Sequence, residues 1–299
     1  MRIAIIGAAG KLGSWFATLL HEQGHHLLLI GRRPEAVQRL ANTMDRCAVA
    51  GYSDVGSVDL IIMSVPMHAV EAVIRDIGPH VTESQAVIDL SSLKVAPQRT
   101  ADMFMPHARF LGVHPMFGSG AEGLAGHNVI LVPGNQAAEL LSEKVRRYIE
   151  PLGARVAMMD PQTHDEVMSV VLGLPALVVA MVARSVLASG QFGIAREVSG
   201  TSLEVLISLT ESMLCEGSEL YGTLLAALPA ATAVATSLQE SAAHFAHLVE
   251  ERNRSDLIEE FSSLGQQLEH ADHRAGDAYA RMYAMLEALK RFPSKPASS

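Results

Sequence analysis

Short apolar runs alternate with amphipathic stretches through the first half of the chain. RIAII (2–6), HLLLI (26–30), DLIIMSV (59–65), AVIDLSS (86–92), RFLGVHP (109–115), NVILVP (128–133) and ARVAMMD (154–160) read as strands. Between them, SWFATLLHEQG, PEAVQRLANTM, HAVEAVIRDIGPHV and SEKVRRYIEPLG repeat their apolar positions at helical spacing. Strands that are apolar at every position are buried on both faces, and strand–helix alternation covers both faces with helices. The pattern predicts an α/β fold, a doubly wound parallel Rossmann-like sheet. After residue 160 the strand signals stop. Helical periodicity runs over 162–189, 197–215, 218–250 and 254–291, with Pro229 as a break. An all-helical C-terminal domain follows, which divides the chain at 1–160 and 161–299.

The helical half carries more apolar surface than a small monomeric bundle needs, which predicts a homodimer through that domain. Its most apolar stretch, VMSVVLGLPALVVAMVA (167–183), is shorter than the roughly 20 residues of a membrane span and contains Gly173 and Pro175. It reads as a helix buried in protein, so no membrane partner is expected. FPSKPASS at the end reads as a frayed tail.

Composition narrows the function. With 49% hydrophobic and 18% charged residues the chain can build a sizeable core, and a net charge of −9 argues against a nucleic-acid partner. Cys47 and Cys215 lie far apart and form no metal-ligand spacing. MRIAIIGAAG leads directly into a glycine turn and does not read as a signal peptide. A reduced, cytoplasmic protein fits these features.

Gly7-Ala8-Ala9-Gly10-Lys11-Leu12-Gly13 sits between the first strand and the first helix. Gly7 permits the sharp turn, Gly10 lets backbone approach a pyrophosphate, and Gly13 allows close helix–strand packing. The spacing is GxxGxxG rather than GxGxxG, but its place at the start of an α/β chain points to dinucleotide binding. The second strand ends in Ile30-Gly31-Arg32-Arg33-Pro34, with no carboxylate for a ribose 2′-hydroxyl and two guanidiniums suited to a 2′-phosphate. NADP is therefore expected over NAD, although solvated loop arginines would look the same. Val65 and Pro66, after the third strand, are placed beside the cofactor by position.

Three polar signals fall at or after strand ends: Asp89-Leu90-Ser91-Ser92-Leu93-Lys94, His114 in GVHPMFG, and Thr163-His164-Asp165 where the helical half begins. Together with the glycine turn, DLSSLK, GVHPMFG and the HDxxM at His164 resemble the prephenate dehydrogenase family, in its short archaeal-type form. The resemblance is strongest over 1–172. It implies an NAD(P)-dependent dehydrogenase that oxidatively decarboxylates prephenate to 4-hydroxyphenylpyruvate. A neutral imidazole accepts the hydroxyl proton as hydride leaves the carbinol carbon. By resemblance His114 is that base and Ser92 contacts the same hydroxyl. Lys94 completes its motif, through a structural contact or at the substrate. His164 and Asp165 match the family's HD pair, as helix cap and interdomain contact or as catalytic groups.

Two substrate-side positions depart from the family. Its histidine after Leu-Pro is replaced in Leu174-Pro175-Ala176, and the arginine upstream of Leu220-Tyr221 is Ser212. Arg184 and Arg196 are candidate substitutes for the missing cation, as is an arginine from a partner subunit. The departures leave open a dehydrogenase for another small molecule, or a non-catalytic dinucleotide-binding protein. Retention of Ser92 and His114 favours an enzyme. His244/His247 and His270/His273 have i,i+3 spacing but lack the other ligands of a closed metal site, and no metal is expected.

Overall fold

The computed structural model describes residues 1–215 and 217–291. The FPSKPASS tail, expected to fray, lies outside the described residues. The chain forms two compact units, Met1–Ser169 with Ala226–Pro229, and Val170–Leu225 with Ala230–Ser299. The first unit thus runs on past residue 160, and His164 and Asp165 belong to it.

The first unit contains β1 (Arg2–Ile6), α1 (Lys11–Glu22), β2 (His26–Ile30), α2 (Pro34–Ala41), β3 (Cys47–Val49), β4 (Leu60–Met63), α3 (Val70–Ile77), β5 (Ala86–Asp89), α4 (Val95–Phe104), β6 (Arg109–Pro115), β7 (Asn128–Pro133), α5 (Gln136–Ile149), β8 (Arg155–Met158) and α6 (Pro161–Met168). The eight strands form one sheet in the order β3-β2-β1-β4-β5-β6-β7-β8. Its alternate side chains feed two cores. Ile3, Ile5, Leu27, Leu29, Ile62 and Leu111 pack with α1 and α5 through Ala17, Leu20 and Leu141. Ala4, Ile6, Ile61, Met63 and Val87 pack with α3 and α4 through Val73, Ile74, Ile77 and Ala101. Both faces are covered, which is why these strands read as continuous apolar runs.

Two features depart from the expected parallel sheet. β7 runs antiparallel to β6, pairing His114 with Ile130. No helix separates these strands, and without a helical crossover the chain can only turn back on itself. β3 pairs with β2 at the sheet edge. Its three residues are half-buried or exposed, so it leaves no apolar run to read.

The second unit is helical: α7 (Leu174–Ala188), α8 (Phe192–Glu197), α9 (Thr201–Cys215), α10 (Ser218–Ala227, shared with the first unit at its end), α11 (Ala231–Glu250), α12 (Arg254–Ala271) and α13 (Ala278–Leu289). The break at Pro229 is present, and a further one separates α12 from α13 at His273–Asp277. The apolar stretch read as too short for a membrane span is part of a longer helix. Pro161–Ala188 is 28 residues and holds an 18-residue window of mean hydropathy 2.2, long and apolar enough to cross a membrane by length and composition, and only 17% of that window is buried, contrary to the expected helix buried in protein. It gains that length because a π-helical turn, Ser169–Gly173, carries the helix through Gly173 to Pro175 instead of breaking it. A widened turn accommodates proline's missing N–H.

Candidate active site

Two groups of residues gather where the parallel strands end, the edge at which a doubly wound sheet binds ligands. One surrounds the turn after β1. The Gly7 and Ala8 amides both donate to the Ile30 carbonyl, at 2.8 and 3.1 Å, tying this turn to the end of β2. Gly7 has φ +86°, and a Cβ there would lie 2.2 Å from the Ser64 carbonyl oxygen. A Cβ on Gly13 would lie 2.2 Å from the Gly7 carbonyl oxygen. The turn is therefore wedged between β4 and α1 with no room for side chains. No side chain caps the N-terminus of α1, so its first amides are available to a ligand.

Gly7, Ala9 and Gly10 share a cleft of about 320 Å³ with Arg32, Arg33, Val65 and Pro66. The remaining residues of the turn lie elsewhere. Ala8 is buried, Leu12 packs on the core, Gly13 supports Gly7 and Lys11 lines a separate cleft beside Ser14. Sequence reasoning missed the two polar cleft residues Tyr52 and Ser64. Tyr52 lies beyond any strand or helix pattern. Burial pushes its phenol pKa up, Asp76 adds to this, and the Arg32 guanidinium opposes it. Ser64 directly follows β4, inside the apolar run DLIIMSV.

The second group is built around His114, near the end of β6 and buried. Its Nδ1 lies 3.0 Å from His164 Nε2, and His164 Nδ1 lies 2.7 Å from Asp165 Oδ1. Asp165 also accepts from the Lys94 amide on Oδ1 (2.8 Å) and from the Val95 amide on Oδ2 (3.0 Å). The HD pair thus caps α4 and holds the His114 imidazole through one carboxylate. Asp160, as N-cap of α6, accepts from the Gln162 and Thr163 amides and so sets where His164 begins the chain of contacts.

Beneath this pair sits an ion pair without solvent. Lys94 is 1% exposed and Asp89 0%, so neither charge is screened by water. The Lys94 ammonium donates to Asp89 Oδ2 (2.7 Å), the Asp89 carbonyl (2.8 Å) and the Val113 carbonyl (3.1 Å). Asp89 accepts in addition from the Ser91 amide and hydroxyl. Burial pulls the Lys94 pKa down and Asp89 pulls it back up. His114 is held well below its usual value by burial first, then by Lys94 and His164.

Lys94 therefore spends all three N–H bonds inside the fold, and the geometry gives it a structural place rather than a substrate contact. Ser92 is half-buried and makes no side-chain hydrogen bond among the described residues. Its neighbour Ser91, which the sequence did not single out, supports Asp89. In the second unit Arg196 pairs with Glu211 at 3.3 Å and Glu204 at 4.0 Å. Arg184 is exposed on α7, Ala176 is buried on α7, and Ser212 is exposed on α9 with its hydroxyl on the Leu209 carbonyl. Among the described residues no group of three or more His, Cys, Asp or Glu side chains is arranged to hold a metal.

Residues 16–158 match the family described as prephenate dehydrogenase, nucleotide-binding domain. A probable arogenate/prephenate dehydrogenase of Methanocaldococcus jannaschii is 29% identical over 177 residues, covering 58% of this chain and 40% of that protein. The prephenate dehydrogenase of Bacillus subtilis is 27% identical, covering 59% of this chain and 51% of that protein. The chain spans about half the length of these curated relatives, or less. Among solved structures, prephenate dehydrogenase from Aquifex aeolicus in complex with hydroxyphenyl propionate and NAD+ superposes with a TM-score of 0.75 at 19% identity, over 91% of this chain and 98% of that one. Synechocystis arogenate dehydrogenase gives 0.68 at 20% identity, over 91% and 100%. At these identities the structural likeness concerns the fold. Residues 16–158 are thus similar to the nucleotide-binding domain of prephenate dehydrogenases.

Proposed function

We propose that the chain is a nicotinamide-dependent dehydrogenase that oxidatively decarboxylates prephenate or a related cyclohexadienyl hydroxy acid. The observation that carries this reading is the His114 imidazole, buried, kept neutral, and set on the same sheet edge as the glycine turn. Three strand spacings separate β1 from β6, roughly 14 Å, a span suited to a ligand anchored by its phosphates at Gly7–Gly10. The wedged turn, the uncapped helix end and the two arginines fit a dinucleotide. When bound, that group supplies the hydride acceptor. The chain's own residues do the rest: His114 takes the hydroxyl proton from the carbinol and Ser92 orients the same hydroxyl. Burial of the base keeps water from competing for the proton.

Arg32 and Arg33 at the cleft, with no acidic residue beside them at the end of β2, support NADP over NAD. The helical half, 161–299 in the division drawn from the sequence and Val170 onward by compactness, would serve substrate binding and dimerisation. Exposed Leu187, Ile194, Val198, Phe261 and Leu268 support pairing with a second copy. The free thiols Cys47 and Cys215 suit the cytoplasm. Nucleotide reduction followed spectrophotometrically with prephenate and with arogenate tests the activity. Turnover of either supports it, and cofactor binding without turnover of either removes it.

A second reading keeps the chemistry and changes the substrate. Ala176 and Ser212 stand where the resemblance implies a histidine and an arginine, and Arg196 is already paired with two carboxylates. A hydroxy acid with fewer carboxylates than prephenate suits such a site.

A further inference from the structure

We infer that His164, oriented by Asp165, is a positioning residue that fixes the tautomer of His114 and receives the proton His114 collects. The inference rests on the reading of His114 as the base. The directions of the hydrogen bonds follow from Asp165. Each of its oxygens already accepts a backbone amide, Lys94 on Oδ1 and Val95 on Oδ2. A carboxylate serves two such donors, whereas a carboxylic acid would set its own proton against one of them. Asp165 is therefore the acceptor in the 2.7 Å contact, and His164 Nδ1 carries the hydrogen. A neutral His164 then offers a lone pair at Nε2. Across 3.0 Å, His114 must answer with Nδ1–H. That leaves His114 Nε2 unprotonated and directed away from the pair, as a general base requires.

The same chain of contacts has a second consequence. A proton captured at His114 Nε2 creates an imidazolium close to the Lys94 ammonium, which disfavours it. Passing the Nδ1 proton to His164 Nε2 leaves His114 neutral. The positive charge moves to His164, whose Nδ1–H remains on the Asp165 carboxylate. One proton enters the pair, one crosses the 3.0 Å contact, and no other bond changes. The charged groups facing the pair are Lys94 from the segment after β5, held on Asp89 at the end of β5, and Asp165 from α6. Asp165 alone is left to favour charge on His164. His164 is fully buried, so no solvent competes for its Nε2.

Histidine ¹⁵N correlation spectra at neutral pH read the tautomers directly, without substrate or turnover. The wild-type chain is expected to show His114 protonated on Nδ1 and bare on Nε2. In His164→Gln the amide oxygen accepts from His114 and the amide N–H₂ donates to Asp165, so the His114 tautomer is retained. In His164→Leu the acceptor is gone and both tautomers appear. Where turnover is measurable, His164→Leu is expected to lower kcat by about 10²-fold. His164→Gln is expected to lose less, and to shift the acid limb of its kcat/KM profile to lower pH because the charge has no second site. Cofactor affinity stays unchanged in both. A wild-type His114 protonated on Nε2 would overturn the inference, as would identical His114 tautomers in the Leu and Gln variants. Expected tautomers with no turnover of any cyclohexadienyl hydroxy acid would count against the proposed function and leave this inference standing.

Discussion

Replacing Lys94 with methionine tests whether the ion pair under His114 holds the sheet edge together. Methionine fills nearly the same volume, so the change removes charge and hydrogen bonds with little loss of packing. Three hydrogen bonds of 2.7–3.1 Å disappear, and Asp89 is left as a carboxylate with 0% exposure. Removing one partner of a buried pair costs about 3–5 kcal/mol, because the remaining charge is neither solvated nor compensated. The Ser91 amide and hydroxyl still donate to Asp89, which places the cost toward the lower end of that range. The sole tryptophan, Trp15, lies in the same compact unit, its indole N–H donating to the Ala121 carbonyl at 2.7 Å. Urea unfolding followed by its fluorescence therefore reports on that unit and not on the helical one. Lys94→Met is expected to lower the midpoint by an amount equivalent to about 3 kcal/mol. Asp89→Leu/Lys94→Met, which removes both charges, is expected to recover most of it. A single-variant cost under about 1 kcal/mol, or a double variant less stable than the single, would refute the reasoning.

His114→Asn is expected to leave cofactor affinity intact and to lower the rate by about 10²–10⁴-fold; an unchanged rate would remove it as base. Because His114 is neutral in the fold while the unfolded chain takes up its proton below about pH 6.5, stability is full above that pH. It falls as pH drops from there toward the depressed folded value, by up to about 1.4 kcal/mol per pH unit, and urea titrations of His114→Asn should show that acid slope reduced by one proton. Gly7→Ala meets both a positive φ and the Ser64 carbonyl and should abolish nucleotide binding, whereas Gly24→Ala, with φ +84° and open space around it, should cost only about 1 kcal/mol. Arg32→Ala is expected to weaken NADP by at least ~10-fold and leave NAD nearly unchanged, as measured by titrating each nucleotide against tryptophan fluorescence.

The glycine turn after β1 was readable from sequence because its requirements are local. Gly7, Gly10 and Gly13 answer to backbone geometry within one strand–turn–helix, and Arg32 and Arg33 follow the next strand directly. The strand and helix periods located β1, β2 and β4–β8 for the same reason. What escaped depended on distant partners. Nothing near Lys94 in sequence says that its ammonium will be spent on Val113, or that Asp165 will cap α4 from a helix 70 residues away. Asp89 at the end of AVID was a visible clue: a carboxylate closing a fully apolar strand requires a buried cation, and Lys94 is the next one along the chain. The antiparallel turn of β7 depends on the absence of a helix in 116–127, a weaker signal than a helix present.

The same distinction separates chemistry from substrate choice in this chain. The proposed proton transfer needs one imidazole in one tautomer, and the contacts that would hold it are confined to the first compact unit: β6, the segment after β5, and α6. The proposed substrate side draws on α7 to α9, where Ala176 and Ser212 stand in place of the histidine and arginine that the resemblance implies. Ala176 packs as well as any small residue would, and Ser212 satisfies itself on the Leu209 carbonyl. Neither change costs the helices anything, so nothing in the folding of that unit opposes a change of substrate. The base is different: altering His114, His164, Asp165 or Lys94 leaves buried hydrogen-bonding groups unpaired, at a cost of about 1–3 kcal/mol for each neutral group and more for each charge. Stability and the proposed proton transfer therefore constrain the same residues, whereas the proposed substrate side carries no such constraint.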